Sequence, residues 1–198
     1  MTVRLVLLRH GQTEWNAEGR MQGWANVPLN DLGRQQAATA AARVADYGPV
    51  RLVASDLERA AMTARAVGEA TGLEVGFDER LREVSYGQWE GKTRDQIGAD
   101  VLREAYASAE NVCGVDGESL VDAADRTASA LTDIADAAAD GETIVVVTHG
   151  TVARVGMQKL LGIPHQAWQG MRTMNNCHWL VLERLPERWQ LVGYNLTA

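Results

Sequence analysis

The sequence predicts an α/β fold: a three-layer α/β/α sandwich whose sheet is mostly parallel with an antiparallel edge strand. Three observations predict it. VRLVLL at 3–8 and TIVVVT at 143–148 run nearly unbroken in apolar residues, as strands buried on both faces do. Helical stretches separate the strands, and strand–helix alternation marks crossovers above a parallel sheet. Two final strands near 177–183 and 188–194 are joined by a short turn at Leu185, Pro186 and Glu187, which adds the antiparallel edge.

The elements follow in order. After the first strand, residues 31–46 read as a helix with Asn30 as N-cap, ended by Tyr47, Gly48 and Pro49. RLVA at 51–54 is a short strand. A helix over 56–70 follows, entered through Ser55, Asp56, Leu57 and Glu58 in a capping-box pattern. Residues 119–139 form a long helix beginning at Ser119 and Asp122. Its apolar stripe is Leu120, Ala124, Ala128, Leu131, Ala135 and Ala138. The strand at 143–148 leads into a helix over 151–161. No repeat, low-complexity tract or linker interrupts the chain, so 1–198 is read as a single domain.

Bulk properties narrow the function classes. A chain of 198 residues with 46% hydrophobic content supports one substantial core. A net charge of −7 without a basic stripe argues against nucleic acid as partner. An anionic ligand would need a local positive pocket. Cys113 and Cys177 sit in no metal-type spacing and read as reduced thiols. The N-terminal apolar run is too short for a secretory signal, and nothing approaches the roughly 18 apolar residues of a membrane span. The expectation is a cytoplasmic protein with no membrane contact.

Three strand ends carry the chemistry. The first strand runs into Arg9, His10 and Gly11; the second into Ser55 and Asp56, with Arg59 one turn later; the strand at 143–148 into His149 and Gly150. In open α/β sheets ligands bind at the carboxyl ends of the strands. The fold therefore gathers two arginines and two histidines at one edge. That set suits a tetrahedral phosphate. Guanidinium offers planar paired donors, glycine permits close backbone approach, and helix N-termini add N–H groups. A metal site is disfavoured, because no carboxylate or thiol accompanies the histidines and the arginines would repel a cation.

The blocks RHGQTEWN (9–16), GRMQGWANVPLNDLGRQQA (19–37), ASDLERAAMTA (54–64), LREVSYGQWEG (81–91), GES (117–119) and VVTHG (ending at Gly150) resemble the signature blocks of the histidine phosphatase superfamily, the phosphoglycerate-mutase-like proteins. They stand in the family's order and span almost the whole chain. The resemblance implies that His10 is the nucleophile, taking the phosphoryl group as phosphohistidine. Arg9, Arg59 and His149 would surround the phosphate, and Asn16 would hydrogen-bond it. Glu83 would protonate the leaving oxygen and then activate water. Gln22 and Gly23 would line the approach, with Gly150 among the substrate-binding positions. The resemblance implies no metal and no cofactor.

Within that family the expected reaction is hydrolysis of a small soluble phosphomonoester, a sugar phosphate or phosphoglycerate type. A cofactor-dependent phosphoglycerate mutase is the alternative, and a non-catalytic phospho-ligand-binding protein the remote one. Glu83 is followed by Val84, Ser85, Tyr86 and Gly87, which only partly keeps the mutase pattern, and the region between Gly91 and Gly117 is compact. All five core positions are intact, against a dead binding module. Residues 92–118 are expected to cover the pocket mouth and set specificity. Trp15, Trp24, Tyr86, Trp89 and Tyr106 are candidates for an apolar rim, although plain packing is expected of at least half of them. Met171, Met174 and Asn176 could also face the site. The hairpin bearing Trp179 and Trp189 leaves a homodimer open.

Overall fold

The computed structural model describes residues 2–198. In chain order its elements are β1 (Val3–Arg9), α1 (Glu14–Ala17), α2 (Asp31–Ala45), β2 (Arg51–Ala54), α3 (Glu58–Thr71), β3 (Val75–Phe77), α4 (Arg94–Ile97), α5 (Ala99–Ala105), α6 (Leu120–Asp136), β4 (Thr143–Thr148), α7 (Gly150–Leu160), β5 (Trp179–Leu185) and β6 (Arg188–Leu196). The sheet order is β3-β2-β4-β1-β5-β6. The two apolar runs become its parallel centre, with Leu5 opposite Ile144 and Leu8 opposite Val147. β2 is parallel to both β4 and β3. The C-terminal hairpin lies at one edge, and within it β5 runs against the other strands.

Alternation along the strands sorts the core into two layers. Val6, Leu8, Val145 and Val147 face one way and pack with Ala40 and Val44 of α2 and Ala60 and Val67 of α3. Leu5, Leu7, Ile144 and Val146 face the other way and meet Leu131 and Ile134 of α6 and Ala153 and Met157 of α7. Every residue of β4 is buried, which is why its sequence shows no polar alternation. A third cluster joins Val84, Tyr86, Trp89, Leu102, Cys113, Leu120 and Trp168. Through it Leu102 and Cys113 pack with Val152 and Val155 of α7.

Local signals held where nothing distant competed. Asn30 caps α2 by accepting from the Gly33 N–H at 2.8 Å. Ser119 caps α6 through the Asp122 N–H at 3.0 Å. That helix ends at Asp136, short of 139, so Ala138 packs from beyond it.

The capping box expected at 55–58 does not form. Helix α3 starts at Glu58, and its N-cap, Leu57, offers no side-chain bond. Ser55 Oγ accepts from His149 Nε2 at 2.8 Å, and its local bond is to the Leu57 N–H at 3.3 Å rather than to the Glu58 N–H. The Glu58 N–H donates to Asn26 Oδ1 at 2.7 Å, so the cap comes from a loop 32 positions upstream. The short elements β3, α1, α4 and α5 were not anticipated.

Among the described residues no helix is long and apolar enough to cross a membrane. Cys113 and Cys177 are both buried and unpaired.

Candidate active site

The end of β1, the end of β4, the first turn of α3 and the loop at 82–84 converge at one edge of the sheet. His10 and His149 are buried, with ring centroids 5.1 Å apart in an edge-to-face arrangement. His10 Nδ1 lies 2.7 Å from the Gly11 carbonyl oxygen. A carbonyl only accepts, so Nδ1 carries the proton and Nε2 keeps its lone pair. Burial first, then the charges of Arg59 and Arg9, hold His10 well below the ordinary imidazole range. The Gly11 hydrogen bond acts the other way and is outweighed. His10 is thus neutral, with one nitrogen free.

Arg59 is fully enclosed. Its Nε donates to His149 Nδ1 at 3.2 Å, and its terminal nitrogens donate to the Ala25 and Gly23 carbonyls at 2.8 and 2.7 Å. A guanidinium has five N–H groups, so two remain for a ligand. Burial, opposed by Glu83 and aided by Arg9, lowers Arg59 to about 10. It remains a cation at neutral pH. Because His149 Nδ1 accepts, its Nε2 carries the proton donated to Ser55. Both His149 nitrogens are therefore occupied, and here it orients Arg59 rather than presenting a free N–H. Its own titration is pushed far down by burial and then by Arg59, His10 and Arg9.

Arg9 donates through a terminal nitrogen to the Met174 carbonyl, and its Nε is buried without a partner. Gly150 opens α7 against it: a Cβ there would meet Thr173 and the Arg9 guanidinium. Glu83 rests on the first turn of α7. Its Oε2 accepts from the Thr151 N–H and its Oε1 from the Val152 N–H, both at 3.2 Å. Its negative charge acts on Arg9 and Arg59 alike.

Asn16 Oδ1 accepts from the Thr13 N–H at 3.1 Å and from Asn176 Nδ2 at 3.2 Å, which turns its own amide N–H groups away from those partners. Asn176 Nδ2 also reaches the His10 carbonyl at 3.0 Å. Gln22 is buried, its Oε1 held by Thr13 Oγ1 at 3.0 Å. Gly23 has φ +51°, and a Cβ there would run into the Glu90 carboxylate.

Arg9, His10, Arg59, Glu83, His149 and Gly150 thus come together at this edge, and Asn16, Gln22 and Gly23 connect to them through hydrogen bonds to Asn176, Thr13 and Arg59. Of the proposed rim, Tyr86 and Trp89 are buried and Trp15 packs on Gly91, while Trp24 is exposed. Met174 and Asn176 serve through a backbone carbonyl and an amide. His165 sits beside Trp168, and His178 Nδ1 lies against the Asn195 carbonyl, so neither reaches the pocket.

Sequence reasoning missed Arg126 on α6. One guanidinium donates to the carbonyls of Arg80, Arg82 and Glu83 at 2.7, 2.7 and 2.9 Å and pairs with both oxygens of Glu118 at 2.8 Å. It clamps the loop that carries Glu83. Nothing local marks it, because it reads as one more exposed arginine in a helix. Thr63 was missed too; its Oγ1 accepts from the Gly11 N–H at 3.1 Å.

Fold and site together define an α/β protein that gathers a neutral, buried histidine and two guanidiniums at the carboxyl edge of its sheet. The chain belongs to the histidine phosphatase superfamily, branch 1, whose family model matches residues 5–197. It is 40% identical to a glucosyl-3-phosphoglycerate phosphatase of Mycolicibacterium vanbaalenii, over 98% of this chain and 95% of that one. The solved mycobacterial glucosyl-3-phosphoglycerate phosphatase in complex with VO3 superposes with a TM-score of 0.92 at 38% identity, covering 98% of this chain and 99% of that one. A probable phosphoglycerate mutase of Escherichia coli is 31% identical over 97% of this chain and 90% of its own length.

Proposed function

We propose that the chain hydrolyses a phosphomonoester through a phosphohistidine on His10, with glucosyl-3-phosphoglycerate or a similar sugar phosphoglycerate as substrate. One observation carries the reading: His10 Nε2 is left unprotonated by the Gly11 carbonyl, while Arg59 and Arg9 bear on the same ring. The phosphatases at 38–40% identity support hydrolysis over mutase chemistry, which is represented at 31%.

The steps follow from the groups present. Nε2 attacks phosphorus as the ester P–O bond breaks, and Glu83, which takes up a proton as the anionic substrate enters beside it, gives that proton to the leaving oxygen. Arg9, Arg59 and the Asn16 amide hold the other phosphate oxygens, supplying the positioning and charge that phosphoryl transfer needs. Water then attacks the phosphohistidine and its proton passes to Glu83. The P–N bond breaks, and His10 and Glu83 return to their starting states. Residues 92–118 cover the mouth and set the choice of leaving group. We place the protein in the cytoplasm, where the buried thiols of Cys113 and Cys177 stay reduced, and its substrate among small soluble phosphoesters. A second copy would pair along β6, and size-exclusion chromatography decides whether it does.

The experiment is phosphate release from glucosyl-3-phosphoglycerate, with EDTA present, by wild type and by His10→Ala. Wild type releases phosphate and carries an acid-labile phosphoryl label; the variant does neither. Interconversion of 3- and 2-phosphoglycerate without free phosphate would overturn hydrolysis. Loss of activity in EDTA would overturn the metal-independent scheme.

A further inference from the structure

An exposed aromatic ring that is held rigid beside a reacting centre is prepared to bind, because its ordering entropy is already spent. Trp24 is such a ring. It is 41% exposed, against 7% for Tyr86 and 8% for Trp89. Its backbone N–H donates to Glu90 Oε1 at 2.8 Å. The carbonyls on either side of it, Gly23 and Ala25, are both held by Arg59. Its indole Nε1–H donates to the Glu83 carbonyl at 2.7 Å. The Arg82 guanidinium stands over one ring face, 5.1 Å from the centroid, and is itself fixed by Asp56 at 2.8 Å. Exposure is therefore concentrated on the rest of the ring.

The position matters as much as the rigidity. Trp24 is tied on one side to the arginine that binds phosphate and on the other to the backbone of the proposed proton donor. His10 and His149 are buried, whereas Trp24 is exposed and its indole reaches the Glu83 backbone, so a leaving group protonated by Glu83 departs beside the indole. We infer that Trp24 is a stacking platform for a sugar ring carried by the leaving group. A pyranose presents a flat C–H face that packs on an aromatic ring while its hydroxyls stay in water. The inference rests on the sugar-phosphoglycerate reading and gives that reading its binding surface.

The test compares glucosyl-3-phosphoglycerate with 3-phosphoglycerate, which has no sugar, in wild type, Trp24→Ala and Trp24→Phe. Trp24→Ala should lower kcat/KM for the glucosylated ester about tenfold more than for 3-phosphoglycerate, mainly through KM. Glucosylglycerate, the dephosphorylated product, should inhibit that variant about tenfold more weakly than wild type. Trp24→Phe keeps a ring but not the N–H and should retain most of the selectivity. Equal losses on both esters, or Trp24→Phe as unselective as Trp24→Ala, would overturn the platform. A wild type that does not favour the glucosylated ester overturns the substrate reading together with the platform. A wild-type preference that survives in Trp24→Ala overturns the platform alone.

Discussion

Arg59 Nε donates to His149 Nδ1 across 3.2 Å, and that bond sets the polarity of the pocket. It forces the His149 proton onto Nε2, aims it at Ser55, and holds the guanidinium plane in one orientation. Arg59→Lys keeps the charge but loses this bond and the fork to Gly23 and Ala25. We expect kcat to fall roughly a hundred- to thousand-fold, the scale for losing a preorganised electrostatic donor. The check is steady-state kinetics alongside circular dichroism, and near-wild-type turnover in a folded variant would refute the assignment.

The buried histidines make stability depend on acid. His10 and His149 both titrate far below their unfolded value of 6.5. Stability is complete above pH 6.5, where both states hold neutral imidazole. As pH falls below 6.5 the unfolded chain gains protons that the folded chain refuses, so stability drops toward the folded pKa by about 1.4 kcal/mol per pH unit for each histidine. Thermal melts between pH 7.5 and 5 should show this fall, and His149→Gln should flatten it. A melting temperature indifferent to pH in that window contradicts the buried neutral state.

Arg126 should matter through Glu83. Arg126→Ala frees the loop at 80–83 and strands Glu118 half-buried, a change on the order of 3 kcal/mol for breaking a buried pair, less here for partial exposure. A displaced proton donor harms esters with basic leaving groups most. We expect the variant to lose about a hundredfold on alkyl phosphates and far less on 2,4-dinitrophenyl phosphate, whose leaving group needs no proton. Equal losses on both would reduce Arg126 to a purely structural residue.

Gly23→Ala should damage stability and activity together. Its φ of +51° costs an L-residue about 1–2 kcal/mol, and the new Cβ would push Glu90 aside. The Gly23 carbonyl would shift with it and loosen Arg59. A lower melting temperature with at least tenfold lower kcat/KM is expected; a variant as stable as wild type would deny that the turn is constrained.

The legible parts of the site share one property. Arg9, His10 and His149 stand where an apolar run stops, and a charged group at the end of a doubly buried strand is visible without knowing its neighbours. The helices α2 and α6 were legible because their caps, Asn30 and Ser119, act within three residues. Ser55 shows the limit. Its local pattern was a helix cap, but its oxygen is shared between the Leu57 N–H and a histidine 94 positions away, and the Glu58 N–H goes to Asn26. Arg126 was invisible for the same reason: its partners belong to another segment.

Periodicity and residue order were enough to establish the layers, the parallel centre and the gathering of basic groups at one edge, since burial on a strand or helix repeats every two or 3.6 residues and needs no partner to be read. Tautomers, the orientation of Arg59, the clamp on Glu83 and the exposure of Trp24 alone among the rim aromatics were settled by the tertiary arrangement. Those are matters of which donor meets which acceptor. Hydrogen bonds are short and directional, so they are decided only when the sheet order brings remote segments within about 3 Å.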